Sequence, residues 1–305
     1  MKSTSTAEAI SAQLLALLPS HLEEAAVQSV FHSSANLLWQ GQLVTLLDDT
    51  RPLYPCAARL SSSLPALTVG EPALLSREGI FFPQSEHTVH FARAEITSLS
   101  LFSPCIPLQL PHPAALQALR EIILTSGKPE GFAPLLSLLE DEPISLPDNP
   151  YVRYAAQRIP ALFTALRQKD AKAAAEAAYS IAGCGIGLTP SADDFLCGVM
   201  TAVLATAIAR GEEPEGLALT AAMAERAAPR TNLISAAFLR QAAKGQLSSD
   251  VLTLIRTLYS RVLSLRLPSA AMNVIAFGET SGTDIRTGIY FGQKNLSELG
   301  GNGIG

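Results

Sequence analysis

The chain has 305 residues, 48% of them hydrophobic, enough for one large domain or two ordinary ones. Only 16% are charged and the mean hydropathy is +0.25, an excess that comes largely from Ala and Leu and points to buried helices. A net charge of −5, with no basic run longer than a pair, argues against a nucleic-acid partner.

The amino terminus carries one Lys, and Glu8 interrupts the first apolar stretch, so no signal peptide is expected. Residues 6–18 read as a short helix ending at Pro19. From Val27 to Phe102 the pattern is strand-like. Residues 36–47 predict a hairpin turning at Gln40-Gly41, and residues 79–82 and 88–91 predict further strands. Prolines 52, 55, 65, 72 and 83 punctuate them, which suggests a small barrel or sandwich. His87 and His90 are three apart on a strand and should face opposite sides, so they make no metal pair.

From Pro113 onward the pattern is helical. Helices are predicted over 113–124, 151–168, 171–182, 191–210, 215–227, 231–244, 249–265 and 281–294. A Pro-, Gly- and acid-rich stretch, 127–150, reads as a linker or wandering loop, and 300–305 as a tail. The fold class is therefore α+β. Residues 1–110 form a strand-rich domain with a short amino-terminal helix, 111–150 a helix and linker, and 151–305 a helical bundle. The longest charge-free stretch, 195–209, falls short of the roughly 20 residues of a membrane span and reads as a core helix. The cysteines Cys56, Cys105, Cys184 and Cys197 are scattered, with no CxxC spacing. They support neither a disulfide framework nor a zinc site, and fit a reduced, cytoplasmic compartment. Cys184 and Cys197 read as small packing residues rather than nucleophiles.

Two segments carry the candidate chemistry. The first is Gly183-Cys-Gly-Ile-Gly-Leu-Thr-Pro-Ser-Ala-Asp-Asp194. Its alternate glycines permit backbone angles that side chains forbid. Thr189 before Pro190 looks like an N-cap with Pro in the first helical position; Ser191 with Asp194 is the alternative, a variant capping box. Either way a helix begins here, and a helix start attracts anions. No Lys follows the loop, so this is not a Walker A sequence. The bland reading is a capped core helix entered through a flexible turn. Asp193 and Asp194 together exceed what one cap needs, which leaves one carboxylate for pairing, solvent, Mg²⁺ or substrate.

The second segment, Gly278-Glu-Thr-Ser-Gly-Thr-Asp-Ile-Arg-Thr-Gly288, repeats the plan. Ser191, Asp194 and Gly198 correspond to Ser281, Asp284 and Gly288. Glycine inside a helix costs about 1 kcal/mol against Ala and needs a packing reason. A close crossing of the two helices near Gly198 and Gly288 supplies one. It would bring Asp193, Asp194 and Asp284 to one place, with Gly185, Gly187, Thr189, Ser191, Thr280, Ser281 and Gly282 around a small anion. Thr231 is a cap candidate for the helix between them, with Asn232 a further ligand candidate. Ser235 reads as solvent-facing or bonded back to its own helix. All five histidines lie within residues 21–112, so a Ser-His-Asp machine in the helical half is not expected.

Residues 185–198 resemble the signature Gly-x-Gly-Leu-Thr-Pro-Ser-x-Asp-Asp-x-Leu-x-Gly of the AllH-like family. Residues 278–284 are similar to its Gly-His-Thr-Ser-Gly-x-Asp segment, residues 231–245 to its intervening helix, and residues 29–47 to its amino-terminal strands. The resemblance implies an enzyme subunit handling a small phosphorylated or carboxylate metabolite. In one branch this is a subunit of oxamate carbamoyltransferase, in anaerobic allantoin breakdown within purine catabolism. There oxalurate and phosphate give oxamate and carbamoyl phosphate, with companion subunits taking part. Glu279 stands where that branch has His, adding a carboxylate that would favour a cation. The rival expectation is a non-catalytic structural or regulatory subunit; a third is an independent hydrolase or transferase.

Overall fold

The computed structural model describes residues 3–103, 107–139, 149–275 and 279–297. Gly278, Cys105, the tail 300–305 and most of the predicted loop after residue 139 lie outside them. The chain forms two compact units, residues 1–103 with 247–249, and residues 104–246 with 250–305.

The first unit is a barrel. Its strands are β1 (Ser3–Ser11), β2 (Glu23–Val30), β3 (Ser34–Trp39), β4 (Gln42–Leu47), β5 (Ala57–Leu60), β6 (Pro72–Ser76), β7 (Gly79–Phe82), β8 (His87–His90) and β9 (Glu95–Thr97). They run in the order β5-β4-β3-β2-β6-β7-β8-β1-β9, and an added β5–β1 pairing closes the first eight into a ring. Closure removes the exposed edges an open sheet would carry. The expected hairpin is β3–β4, with Gln40 and Gly41 both at positive φ, as a tight two-residue turn requires. The interior is filled by alternate residues such as Leu37, Leu46, Leu75, Ile80 and Val89. His87 is buried and His90 exposed, on opposite sides of β8.

The predicted helix 6–18 is corrected: it is strand to Ser11 and helix only from there. β1 runs antiparallel to β5 through Ala7↔Leu60 and parallel to β8 through Ser3↔His87, so barrel closure overrides the helical preference of its Ala and Glu residues. The Ser11 hydroxyl then caps α1 (Ala12–Leu17), accepting from the Leu14 N–H at 3.2 Å. Leu247–Ser249 return to this unit, where the Leu247 N–H donates to the Leu99 carbonyl at 2.9 Å.

The second unit is helical: α2 (Pro113–Ser126), a 3₁₀ turn (Ala133–Leu139), α3 (Pro150–Ala156), α4 (Ile159–Arg167), α5 (Ala171–Ile181), α6 (Ser191–Arg210), α7 (Glu213–Ala227), α8 (Leu233–Ala242), α9 (Ser249–Leu258), α10 (Leu267–Ile275) and α11 (Ser281–Ser297). Two sequence readings change. The helix expected over 151–168 breaks between α3 and α4, where Pro160 cannot continue a hydrogen-bonded turn. The helix expected to 265 stops at Leu258; Val262 and Leu265 have helical spacing but are 73% and 97% exposed, and α10 begins anew beyond them.

α6 is the central helix. It is long and apolar enough to cross a membrane, yet 83% of its most apolar window is buried inside the protein. Its main partner is α11, and the two cross as closely as the paired glycines predict. A Cβ at Gly198 would lie 2.1 Å from the Ile285 carbonyl oxygen, and one at Gly288 would lie 2.1 Å from the Phe195 carbonyl oxygen. Only hydrogen fits at either position.

Candidate functional site

The crossing brings the starts of α6 and α11 side by side. The Thr189 and Ser281 hydroxyls lie 2.8 Å apart, and those of Ser191 and Thr280 lie 3.5 Å apart. Beneath them sit Asp194 and Asp284, 3% and 0% exposed. Burial, and then the neighbouring Asp284 charge, push the Asp194 carboxyl well above the usual range, against the nearby Ser281 and Thr189 hydroxyls that favour its charged form. Burial pushes Asp284 up to about 7, opposed by the Phe132 N–H, the Ser191 and Thr280 hydroxyls and the Arg286 charge. The Phe132 N–H donates to Asp284 Oδ1 at 2.6 Å, while the Oδ2 atoms of both carboxyls have no hydrogen-bond partner. This is a proton-holding pair under a layer of hydroxyls.

A cavity of about 410 Å³ is lined by Pro129, Glu130, Asn149, Pro150, Tyr151, Ile186 and Ser191, and the carboxyl pair lies beneath its Ser191 wall rather than in it. Ser191 joins the two, lining the cavity while its hydroxyl lies close enough to Asp284 to favour the charged carboxylate. Gly185 and Gly187 take positive φ angles of 130° and 95°. A Cβ at Gly185 would lie 2.4 Å from the Ser191 nitrogen, so the turn folds directly onto the helix start.

Several expected roles change. Neither Thr189 nor Ser191 caps α6. Pro190 holds the cap position without a side-chain bond, the Ala192 N–H donates to the Cys184 carbonyl at 2.9 Å, and the Asp193 and Asp194 N–H groups turn back to the Pro190 carbonyl. The helix start is thus largely satisfied by carbonyls rather than open to an anion. Asp193 does not join Asp194 and Asp284. Its oxygens accept from the Gly183 N–H, at 2.7 Å, and from the Thr231 hydroxyl. Its carboxyl is raised by burial, against those two donors and the Ser235 hydroxyl. Asp193 and Asp194 therefore diverge. Among the described residues no three His, Cys, Asp or Glu side chains stand where they could share a metal ion. Glu279 is exposed and stays outside the buried pair.

Asn232, rather than Thr231, caps α8, accepting from the Ile234 and Ser235 N–H groups. Its amide donates to the Leu188 carbonyl at 2.7 Å and so ties down the glycine turn. Ser235 is buried, not solvent-facing. The Gly282 carbonyl accepts from Arg286 Nε at 3.1 Å. Burial pushes the thiols of Cys184 and Cys197 up, which keeps them protonated and unreactive. Arg286 is the charged residue that sequence pattern missed: it is fully buried on α11, and burial holds it down to about 10. The available signal was an Arg that, with Asp284, is the only charge in a segment, 280–292, otherwise apolar, small or hydroxylated.

A closed eight-stranded barrel together with a helical unit built on two crossed Gly/Ser/Asp motifs defines the class of this protein. A family model described as oxamate carbamoyltransferase subunit AllH matches residues 181–293, which hold α6 and most of α11. A second, described as the AllH family N-terminal domain, matches residues 5–96, the barrel. The chain belongs to the AllH family. No curated protein and no solved structure matches it.

Proposed function

We propose that this chain is a subunit of a carbamoyl-transferring enzyme of the oxamate carbamoyltransferase kind, working with companion subunits on a small anionic metabolite in the cytoplasm. The family model that matches the crossed helices supports the class of reaction. The observation that carries the reading is the buried pair Asp194 and Asp284 beneath Thr189, Ser191, Thr280 and Ser281, beside a cavity.

Phosphorolysis of oxalurate forms a bond from a phosphate oxygen to the carbamoyl carbon and breaks the bond from that carbon to the oxamate nitrogen. The proton on the attacking hydrogen phosphate must end on that nitrogen, giving oxamate and carbamoyl phosphate. A carboxyl poised at about 7 is suited to take and return such a proton. In this reading Asp284 is the carrier, Ser191 passes the proton between cavity and carboxyl, and Asp194, buried beneath them, orients the Thr189 and Ser281 hydroxyls. Asp193, Asn232 and the glycines shape the turn.

The test is titration of oxamate into the wild type and Ser191→Ala by calorimetry, with helical content checked by circular dichroism. Affinity should fall about tenfold in a folded variant, as expected for one hydrogen bond to a charged ligand. Equal affinity in both proteins refutes the reading. The hydroxyl-to-hydroxyl contacts favour a second reading, a non-catalytic subunit whose motifs only join α6 to α11. That reading expects no oxamate binding by the wild type, even with companion subunits present.

A further inference from the structure

The surface around the glycine turn is apolar and open. Ile186 and Leu188, on the turn itself, are each more than half exposed, and Tyr151, Tyr154 and Leu233 are exposed beside it. Single exposed apolar residues are ordinary, but a contiguous group marks a contact surface. These five are contiguous. Tyr151 and Ile186 line the same cavity. Asn232 donates to the Leu188 carbonyl at 2.7 Å, which sets Leu233, at the start of α8, beside the turn. Tyr154 follows Tyr151 on α3 and donates to the Ser180 carbonyl at 2.9 Å, where α5 ends just ahead of the glycines.

The edge of this face is cationic. The Arg158 guanidinium lies over the Tyr154 ring at 3.5 Å, and its Nη1 donates to the Tyr154 carbonyl at 2.9 Å. The Arg230 guanidinium lies over the Tyr179 ring at 4.7 Å, and a Cβ at Gly183 would come within 2.7 Å of the Arg230 carbonyl oxygen. Arg226 shares the Tyr179 ring but pairs with Glu176; no carboxylate of the described residues pairs with Arg158 or Arg230. In a chain of net charge −5 this is a local excess of positive charge, with Glu130 on the cavity wall as its acidic neighbour.

We infer that this face is the docking surface for a companion subunit that presents an apolar patch rimmed by carboxylates, and that docking covers the cavity. Tyrosine and arginine around an apolar centre are what protein interfaces favour. The turn is already held by the Asn232 tie and by Asp193, which accepts from the Gly183 N–H, so little order has to be gained on binding. A two-fold contact between copies of this chain would set the arginine edge against itself, which like charges oppose. The inference rests on the proposed reading of the chain as one subunit among several, and does not depend on which groups move the proton.

The experiment follows amide hydrogen exchange of the full chain, alone and assembled with its companion subunits, and measures the assembly affinity by sedimentation. Exchange within residues 185–189 should slow at least tenfold on assembly. The double variant Ile186→Ser with Leu188→Ser, and separately Arg230→Glu, should each weaken assembly tenfold or more, and added salt should weaken it in the wild type. Leu265→Ser, between α9 and α10, is the control and should leave assembly unchanged. No assembly, unchanged exchange in the turn on assembly, or undiminished assembly by both folded variants overturns the surface. Slowed exchange in the chain alone, with a doubled mass, assigns the face to a second copy and overturns it as well. Carbamoyl phosphate formed by an assembly whose turn stays open sinks the surface and leaves the reaction standing. A protected turn in an assembly that binds no oxamate keeps the surface and sinks the reaction.

Discussion

Asp284→Asn isolates the energetic consequence of the buried carboxyl. In the unfolded chain this group titrates near 3.8, and in the folded protein it is carried to about 7. Between those values the folded state holds a proton that the unfolded chain has released. Stability therefore falls as pH rises through that window and is level above it. At about 1.4 kcal/mol per pH unit the loss amounts to roughly 4 kcal/mol by pH 8. Asparagine cannot ionise, and its carbonyl can still accept from the Phe132 N–H. Near pH 4 the two proteins should have about equal stability. By pH 8 the variant should be the more stable by roughly 4 kcal/mol, a large share of a typical folding free energy. Removing the Asp284 charge also relieves its upward push on Asp194, which adds in the same direction. The assay is urea unfolding at a series of pH values, followed by far-ultraviolet circular dichroism. The single tryptophan, Trp39, lies in the barrel and reports on the other unit. A gap that does not change with pH refutes the buried neutral carboxyl. A gap that widens in favour of the wild type as pH rises shows an anion held by a cation instead.

Gly198→Ala places a methyl group 2.1 Å from a backbone carbonyl of α11, which no rotamer change relieves. It should destabilise the helical unit by about 3 kcal/mol or more, and Gly288→Ala by a similar amount; calorimetric unfolding that shows less than about 1 kcal/mol for both would disprove the close crossing. Asn232→Ala removes the α8 cap and the tie to the Leu188 carbonyl. It should cost about 1 kcal/mol in stability and speed proteolysis within residues 185–189, where Ile186 and Leu188 are 60% and 54% exposed; unchanged cleavage would show that the turn holds itself.

What was legible in the sequence followed from local rules. The β3–β4 turn was fixed by Gln40-Gly41, and α6 by its charge-free run, residues 195–209, ahead of Gly211. The crossing of α6 and α11 was legible because glycine at the same offset in two helices has one economical explanation. The errors fall where partners distant in sequence decide. Residues 3–11 are strand because β5 and β8 flank them. The start of α6 is not capped by Thr189 or Ser191 because the glycine turn folds back and offers it the Cys184 carbonyl.

The same limit explains the carboxylates. Sequence offers Asp193 and Asp194 as equals, adjacent and both acidic, but adjacent helical positions are about 100° apart and meet different neighbours. The direction of Asp193 is set by Thr231 and Gly183, that of Asp194 by Ser281 and Asp284. One therefore becomes a tie between turn and α8, and the other half of a buried acid pair. Arg286 was missed for the converse reason. Its spacing suits an exposed helix face, and only the packing of α11 against its neighbours turns an ordinary arginine into a buried cation. Chemistry in this fold is assigned by which helix face each motif residue occupies, so substitutions should be compared by face: Asp194 with Asp284, and Arg286 by itself.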